Sequence, residues 1–266
     1  MRKKKYSLSP DGNHLNVCSK PMLDGLETKV STTARQEAVP GWDQEVVRNS
    51  GVFFVGAGGL TAEQIISVAR KGYGRIGVTD MDHFEPSNYS RQFCYRENLY
   101  ENKGLEVAKN LERECIGETQ IDGFNMPFSE ILRCVRWSDY SVIVCNVDNN
   151  PTRVECSKFG RTFGLPVIFS GVSNDAGSGY VFVQELNGPC FGCAFPQKVD
   201  DETHPCPNTP ATKDILKVLG GFVLFAIDSL LMDRKRTWNF RQVFLDGTID
   251  DVSVEVSERN DCKLCK

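Results

Sequence analysis

The sequence predicts an α/β fold with a doubly wound, mostly parallel sheet, and three observations carry that expectation. Gly51-Val52-Phe53-Phe54-Val55 is continuously apolar and runs straight into the glycine cluster Gly56-Ala57-Gly58-Gly59, as a strand buried on both faces does where it turns into a helix. Downstream, apolar strand-like runs alternate with segments of helical period. The chain has 266 residues, enough to bury one large α/β core.

The elements follow in order. Residues 1 to 40 are polar and turn-rich and read as an N-terminal arm, with a single domain from 41 to 266. After the strand at 51–55, apolar Ile65, Ile66, Val68 and Ala69 predict a helix over 61–71, closed by Gly72. Arg75 to Thr79 reads as the second strand, completing one βαβ unit. Leu105 to Cys115 is expected as a helix, Ser141 to Cys145 as a buried strand, Arg153 to Phe163 as a helix and Pro166 to Phe169 as the next strand. Gly179 to Glu185 and Gln242 to Asp246 complete the strand set, and Asp214 to Met232 is an apolar helix.

Bulk properties exclude several classes of function. With 31 basic and 35 acidic residues the formal charge is -4, too weak a field to make nucleic acid or an anionic membrane the main partner. The longest apolar run, Val218 to Ile227, is too short to span a bilayer. The basic start MRKKKY leads into SLSPDGN instead of an apolar leader, so a cytoplasmic, reducing location is expected.

Eleven cysteines in such a chain point to metal or catalytic thiols rather than a disulfide framework. Cys190-Phe-Gly-Cys193 and Cys262-Lys-Leu-Cys265 are two CxxC pairs, the spacing at which one turn offers two thiolates to a tetrahedral zinc ion. A C-terminal zinc knuckle built on all four is expected, with a redox CxxC as the alternative. Among the other seven, Cys145 and Cys156 fall in apolar patterns and read as buried and inert.

Gly56-Ala57-Gly58-Gly59-Leu60-Thr61 follows the dinucleotide fingerprint of a Rossmann-like domain except at its last position. The first glycines let the backbone approach a phosphate, while the helix start offers free N–H groups and a positive dipole end. Thr61 at the third position weakens a dehydrogenase reading, in which the chain would bind NAD. Asp80, with Asp82 as its competitor, stands where a ribose-binding acid belongs. Asn88, Arg91 and Gln92 follow at once, and such amide and guanidinium donors suit the extra phosphates of a triphosphate.

Together, the glycine turn, Asp80-Met81-Asp82, Ser87-Asn88-Tyr89-Ser90-Arg91-Gln92 and the paired CxxC motifs closely resemble the ubiquitin-activating-type adenylating enzymes, among them the ThiF, MoeB and HesA group. The resemblance runs from about Arg35 to Cys265, with Thr61 in place of a glycine and Tyr89 in place of the usual leucine. It implies that Gly56, Gly58 and Gly59 cradle ATP, that Asp80 holds the ribose, and that Asn88 and Arg91 contact phosphates with Gln92 lining the same wall. It further implies that Lys103 contacts phosphate, that Asp148 in Cys-Asn-Val-Asp-Asn-Asn binds magnesium, and that Arg35 reaches the triphosphate from the second subunit of a homodimer.

The implied substrate is the C-terminal carboxylate of a small ubiquitin-like or sulfur-carrier protein, often ending in Gly-Gly. Cys206, in the proline-rich crossover segment at about 197–213 and two residues from His204, would then accept the acyl group as a thioester. The acyl group would pass to a separate conjugating or sulfur-transfer protein. Adenylation of a short peptide and a silent subunit of a heterodimeric activator are the competing implications.

Overall fold

The structure is a computed structural model that describes residues 6–19, 31–201 and 210–265. Its strands are β1 (Tyr6–Leu8), β2 (His14–Cys18), β3 (Gly51–Val55), β4 (Arg75–Thr79), β5 (Gln120–Phe124), β6 (Val142–Cys145), β7 (Val167–Val172), β8 (Ser178–Gln184), β9 (Phe240–Phe244) and β10 (Val252–Val254). The α-helices are α1 (Ala34–Glu37), α2 (Gln44–Asn49), α3 (Gly59–Lys71), α4 (Lys103–Leu111), α5 (Phe128–Ile131), α6 (Asn150–Phe163), α7 (Phe191–Ala194) and α8 (Lys213–Leu231). All ten strands join one sheet in the order β1-β2-β5-β4-β3-β6-β7-β8-β9-β10.

The parallel centre is β5-β4-β3-β6-β7, and the flanking strands all pair antiparallel. The sheet is therefore mixed rather than mostly parallel. The physical reason lies at its two margins: β7 and β8 are joined by a short turn, which can link only antiparallel neighbours, and β1 and β2 form a hairpin. That hairpin pairs with β5, so part of the stretch read as an N-terminal arm belongs to the sheet.

Successive residues of β3 divide the core. Val52 and Phe54 pack with α3, α4 and α8 on one face, whereas Phe53 and Val55 pack with α5, α6 and α7 on the other, all four being at most 2% exposed. This two-sided burial explains the unbroken apolar run at 51–55. Strand order reverses between β3 and β6, and in an open α/β sheet that switch point opens a crevice beyond the carboxyl ends of the strands. The glycine turn leaves β3 at one wall of the crevice, and residues 146–150 leave β6 at the other. Among the described residues no helix is long and apolar enough to cross a membrane.

Candidate active site

Gly56 bends the chain out of β3 with φ +92, a conformation that favours glycine, and a side chain there would meet Val147 and the Asn146 backbone at 3.3 to 3.4 Å. The turn thus sits directly against the loop leaving β6. Gly58 caps α3 without any side-chain hydrogen bond, and nothing lies within 4 Å of where its Cβ would be. The chain beside Gly58 is open, and the uncapped amides of the first turn of α3 stand at the positive end of a 13-residue helix, which suits phosphate oxygens.

Thr61 is fully buried, and its hydroxyl donates to the Gly56 carbonyl at 2.6 Å. The same hydroxyl accepts from Asn146 Nδ2 at 3.0 Å, while Asn146 also donates to Gln64 Oε1 at 2.8 Å and accepts from Ser170 Oγ at 2.5 Å. A glycine at this position would allow closer helix packing but could not tie the turn to β6 and β7.

Asp80 closes the turn from the other side. Its Oδ2 accepts from the Ala57 N–H at 2.7 Å and its Oδ1 from the Asp82 N–H at 2.9 Å. Burial pushes its carboxyl up from the ordinary value; the nearby Lys103 charge and the Ala57 amide pull it back, and Asp82 pushes it up again. Lys103, at the start of α4, is 8% exposed and reaches Asp82 Oδ2 at 3.2 Å. An acidic pair and a buried lysine thus share one edge of the crevice.

Arg91 lies against the start of α3: its Cγ is 3.5 Å from where a Cβ on Gly59 would stand, and its Nη1 donates to the Ser87 carbonyl at 2.6 Å. Asn88 shapes the turn that carries it. Its side-chain carbonyl accepts from the Glu85 N–H at 3.1 Å, and its backbone carbonyl accepts from the N–H groups of Arg91 and Gln92 at 3.0 and 2.8 Å. Gln92 Oε1 is buried without a hydrogen-bond partner. Asp148 stands exposed at the end of β6, a hard oxygen ligand suited to magnesium. Arg91 meets the start of α3, Asp80 holds the turn before it, and Lys103 joins that acidic edge through Asp82.

Two expected site residues are not part of that cluster. Arg35 is exposed on α1, and the neighbouring Gln36 anchors that helix by donating to the Lys71 carbonyl at 2.8 Å. Lys71 ends α3, so its length of about 20 Å separates this anchor from the glycine turn of the same chain. Cys206 lies outside the described residues.

Asn102 is a site residue that sequence reasoning missed. It is 6% exposed; its Nδ2 donates to the carbonyls of Asp80 and Asp82 at 2.9 and 3.1 Å, and its Oδ1 caps α4 by accepting from the Leu105 N–H at 3.0 Å. One side chain therefore sets both the acidic loop and Lys103. An asparagine just before a helical run was the available signal.

The four CxxC thiols converge on one point. Cys190 Sγ lies 3.9, 3.4 and 3.2 Å from the sulfurs of Cys193, Cys262 and Cys265, and Cys193 lies 3.5 Å from Cys265. All four sulfurs fall within 4.8 Å of one another. A tetrahedral zinc with bonds of about 2.3 Å sets sulfur–sulfur edges of about 3.8 Å, so the donor set fits zinc. Gly192 permits the approach, since a Cβ there would stand 2.9 Å from Leu264 and 3.1 Å from the Cys262 sulfur. Cys145 and Cys156 are fully buried, as their apolar patterns predict.

The fold is an open α/β sheet whose glycine turn sits at the switch point of strand order, the place where such sheets bind ligands. The ThiF family profile matches residues 31–263, and the chain belongs to the ThiF family. Its relatives include a sulfur carrier protein adenylyltransferase of Thermus thermophilus, 31% identical over 160 residues covering 58% of each protein. A SAMP-activating enzyme E1 of Haloferax volcanii is 30% identical over 82% of this chain and 80% of its own length. The chain thus spans little more than half of the Thermus relative and most of the Haloferax one. Among solved structures, Escherichia coli MccB shares the fold with a TM-score of 0.73 at 16% identity, covering 90% of this chain and 73% of MccB.

Proposed function

We propose that this protein adenylates the C-terminal carboxylate of a small ubiquitin-like or sulfur-carrier protein with ATP, releasing pyrophosphate. The observation that carries the reading is the glycine turn itself: α3 begins after Gly58 with no side-chain cap, Arg91 packs against Gly59, Asp80 accepts from the Ala57 amide, and Lys103 reaches Asp82. ATP fits this arrangement with its phosphates on the amides of Gly58 and Gly59 and its ribose on Asp80. Family membership and the Thermus and Haloferax relatives support it.

In the proposed reaction a carboxylate oxygen forms a bond to the α-phosphorus while the bond from that phosphorus to the bridging oxygen breaks, and pyrophosphate departs with those electrons. The attacking carboxylate is already ionised at neutral pH, so no side-chain base is required. Arg91 and Lys103 neutralise charge that builds on the phosphates, and Lys103 does so by leaving Asp82 for the nucleotide. The amides of α3 and the Thr61-braced turn hold the reacting phosphate in place. Asp148 would hold magnesium, which supplies charge neutralisation on the phosphates. Arg35 is assigned to the neighbouring subunit's nucleotide in a homodimer, because its helix is anchored at the wrong end of α3 to serve its own turn.

Cys206 is assigned the next step: its thiolate attacks the acyl-adenylate carbonyl, the carbon–oxygen bond to AMP breaks, and a thioester forms. The test is magnesium-dependent ATP–pyrophosphate exchange with a panel of Gly-Gly-terminated carrier proteins, run for wild type and Cys206→Ala. Exchange with one carrier in both proteins, with a thiol-sensitive adduct in wild type only, supports both steps. Exchange with none of the carriers would sink the adenylation of carrier proteins, and an adduct that survives Cys206→Ala would sink the thioester assignment.

A further inference from the structure

Helix α8 carries two apolar faces. Leu216, Leu219, Val223, Ala226 and Ile227 are buried in the core, where Leu216 meets the start of α3 beside Gly59. Val218, Gly221, Phe222 and Phe225 recur at spacings of three and four residues on a second face, which forms one wall of a groove of about 510 Å³. The opposite wall comes from Trp238 and the residues around β9 and β10.

The groove is basic. Lys235, Arg236 and Arg241 line it and no acidic residue does. Arg236 is neutralised, since it pairs with Glu185 and donates to Ser229 Oγ at 3.0 Å. Lys235 and Arg241 have no carboxylate partner among the described residues. The Arg241 guanidinium lies 4.0 Å above the Phe222 ring, and its buried Nε makes no hydrogen bond. Stacking of this kind leaves the edge of the guanidinium for an acceptor. An uncompensated basic and aromatic strip on a chain of net charge -4 is a local feature, opposite in sign to the whole.

We infer that the groove between α8 and β9 docks an acidic, apolar-centred face of the carrier protein whose tail is adenylated. The inference rests on the proposed adenylation and adds where the body of the substrate binds. Charge complementarity selects an acidic partner, and the Phe222, Phe225 and Val218 strip gives it an apolar centre to cover. Position agrees as well. From Leu216, beside the glycine turn, to Phe222 the helix rises about 9 Å. Three or four extended residues at about 3.3 Å each cover that axial distance, so a short C-terminal tail suffices to bring a docked carrier's carboxylate toward the phosphates.

The test uses the carrier that supports exchange and, separately, a synthetic peptide of its last six residues. Lys235→Glu and Arg241→Gln should each raise the KM for the intact carrier about tenfold, leave the KM for ATP unchanged and leave the peptide's KM unchanged. In wild type the carrier's KM should also rise with salt, more steeply than in either variant. Lys235 is exposed, so its variant keeps the experiment valid if Arg241→Gln perturbs folding. Carrier KM values within twofold of wild type in both variants would overturn the docking site while adenylation stands. Variants that shift the protein from dimer to monomer without changing carrier KM would assign the groove to a second copy and overturn it too. Failure of every carrier to support exchange would remove the adenylation reading and the groove's occupant together.

Discussion

The Thr61 hydroxyl donates to the Gly56 carbonyl at 2.6 Å while accepting from Asn146 Nδ2 at 3.0 Å, so a residue that departs from the glycine fingerprint is the one that ties the glycine turn to the end of β6. Restoring the fingerprint with Thr61→Gly should therefore harm the protein. Loss of a buried hydroxyl with two partners, together with a glycine in the first turn of α3, is expected to cost about 2 kcal/mol. Thr61→Ser should retain most of it. Chemical denaturation of the three proteins checks the order, and a Thr61→Gly protein as stable as wild type would refute the bracing role.

The cysteine cluster predicts one zinc per chain. Elemental analysis should find it in wild type and find it lost in Cys262→Ala, because three thiolates near an exposed rim hold zinc far more weakly than four. Thermal unfolding should move to lower temperature on chelation, since the tail carrying Cys262 and Cys265 is tied to Cys190 and Cys193 through these sulfurs. Wild-type protein purified without zinc, and with an unfolding temperature indifferent to chelator, would contradict the site.

A buried carboxylate sets an acid limit on stability. Asp122 is 4% exposed in the middle of β5. Burial pushes its carboxyl up, but His14, Asn16, the Arg75 guanidinium and Tyr140 more than offset this and bring it from 3.8 down to about 2. A depressed value means that the stabilisation is complete above the unfolded value of 3.8 and is lost as pH falls through about 2. That shift is worth about 2 kcal/mol. Asp122→Asn should be less stable by about that amount at pH 7, with a shallower loss of stability between pH 4 and pH 2 in urea titrations.

The same residue shows what the sequence conceals. Strands β3, β4 and β6 lie within one residue of the apolar runs that predict them, β7 runs three residues past its run, and the helix read from 61–71 is α3 extended by two residues. Strand β5, Gln-Ile-Asp-Gly-Phe, escapes the same reading because its polarity is internal: Asp122 is satisfied by side chains from β2, β4 and Tyr140, none of them close in sequence. Strands β1, β2 and β10 are short margins whose pairing depends on neighbours. In the crevice, residue type and order nominated Asp80 and Arg91, and the resemblance to the adenylating enzymes nominated Lys103 and Asp148. The roles of Asn102, Asn146 and Thr61 were hidden because each acts through partners from elsewhere in the chain.

The position of Arg35 predicts that a complete site needs two chains. Its helix is held at the Lys71 end of α3, about 20 Å from the glycine turn of its own chain, so the arginine is proposed to serve the turn of a second chain. Arg35→Ala and Asp148→Ala should each abolish pyrophosphate exchange in the proposed homodimer. Mixed before refolding, they should recover about a quarter of wild-type exchange, because random pairing makes half the dimers mixed and each mixed dimer keeps one intact site. A mixture as inactive as either parent would show that Arg35 and Asp148 must come from the same chain. Activity in Arg35→Ala alone would remove it from the site altogether.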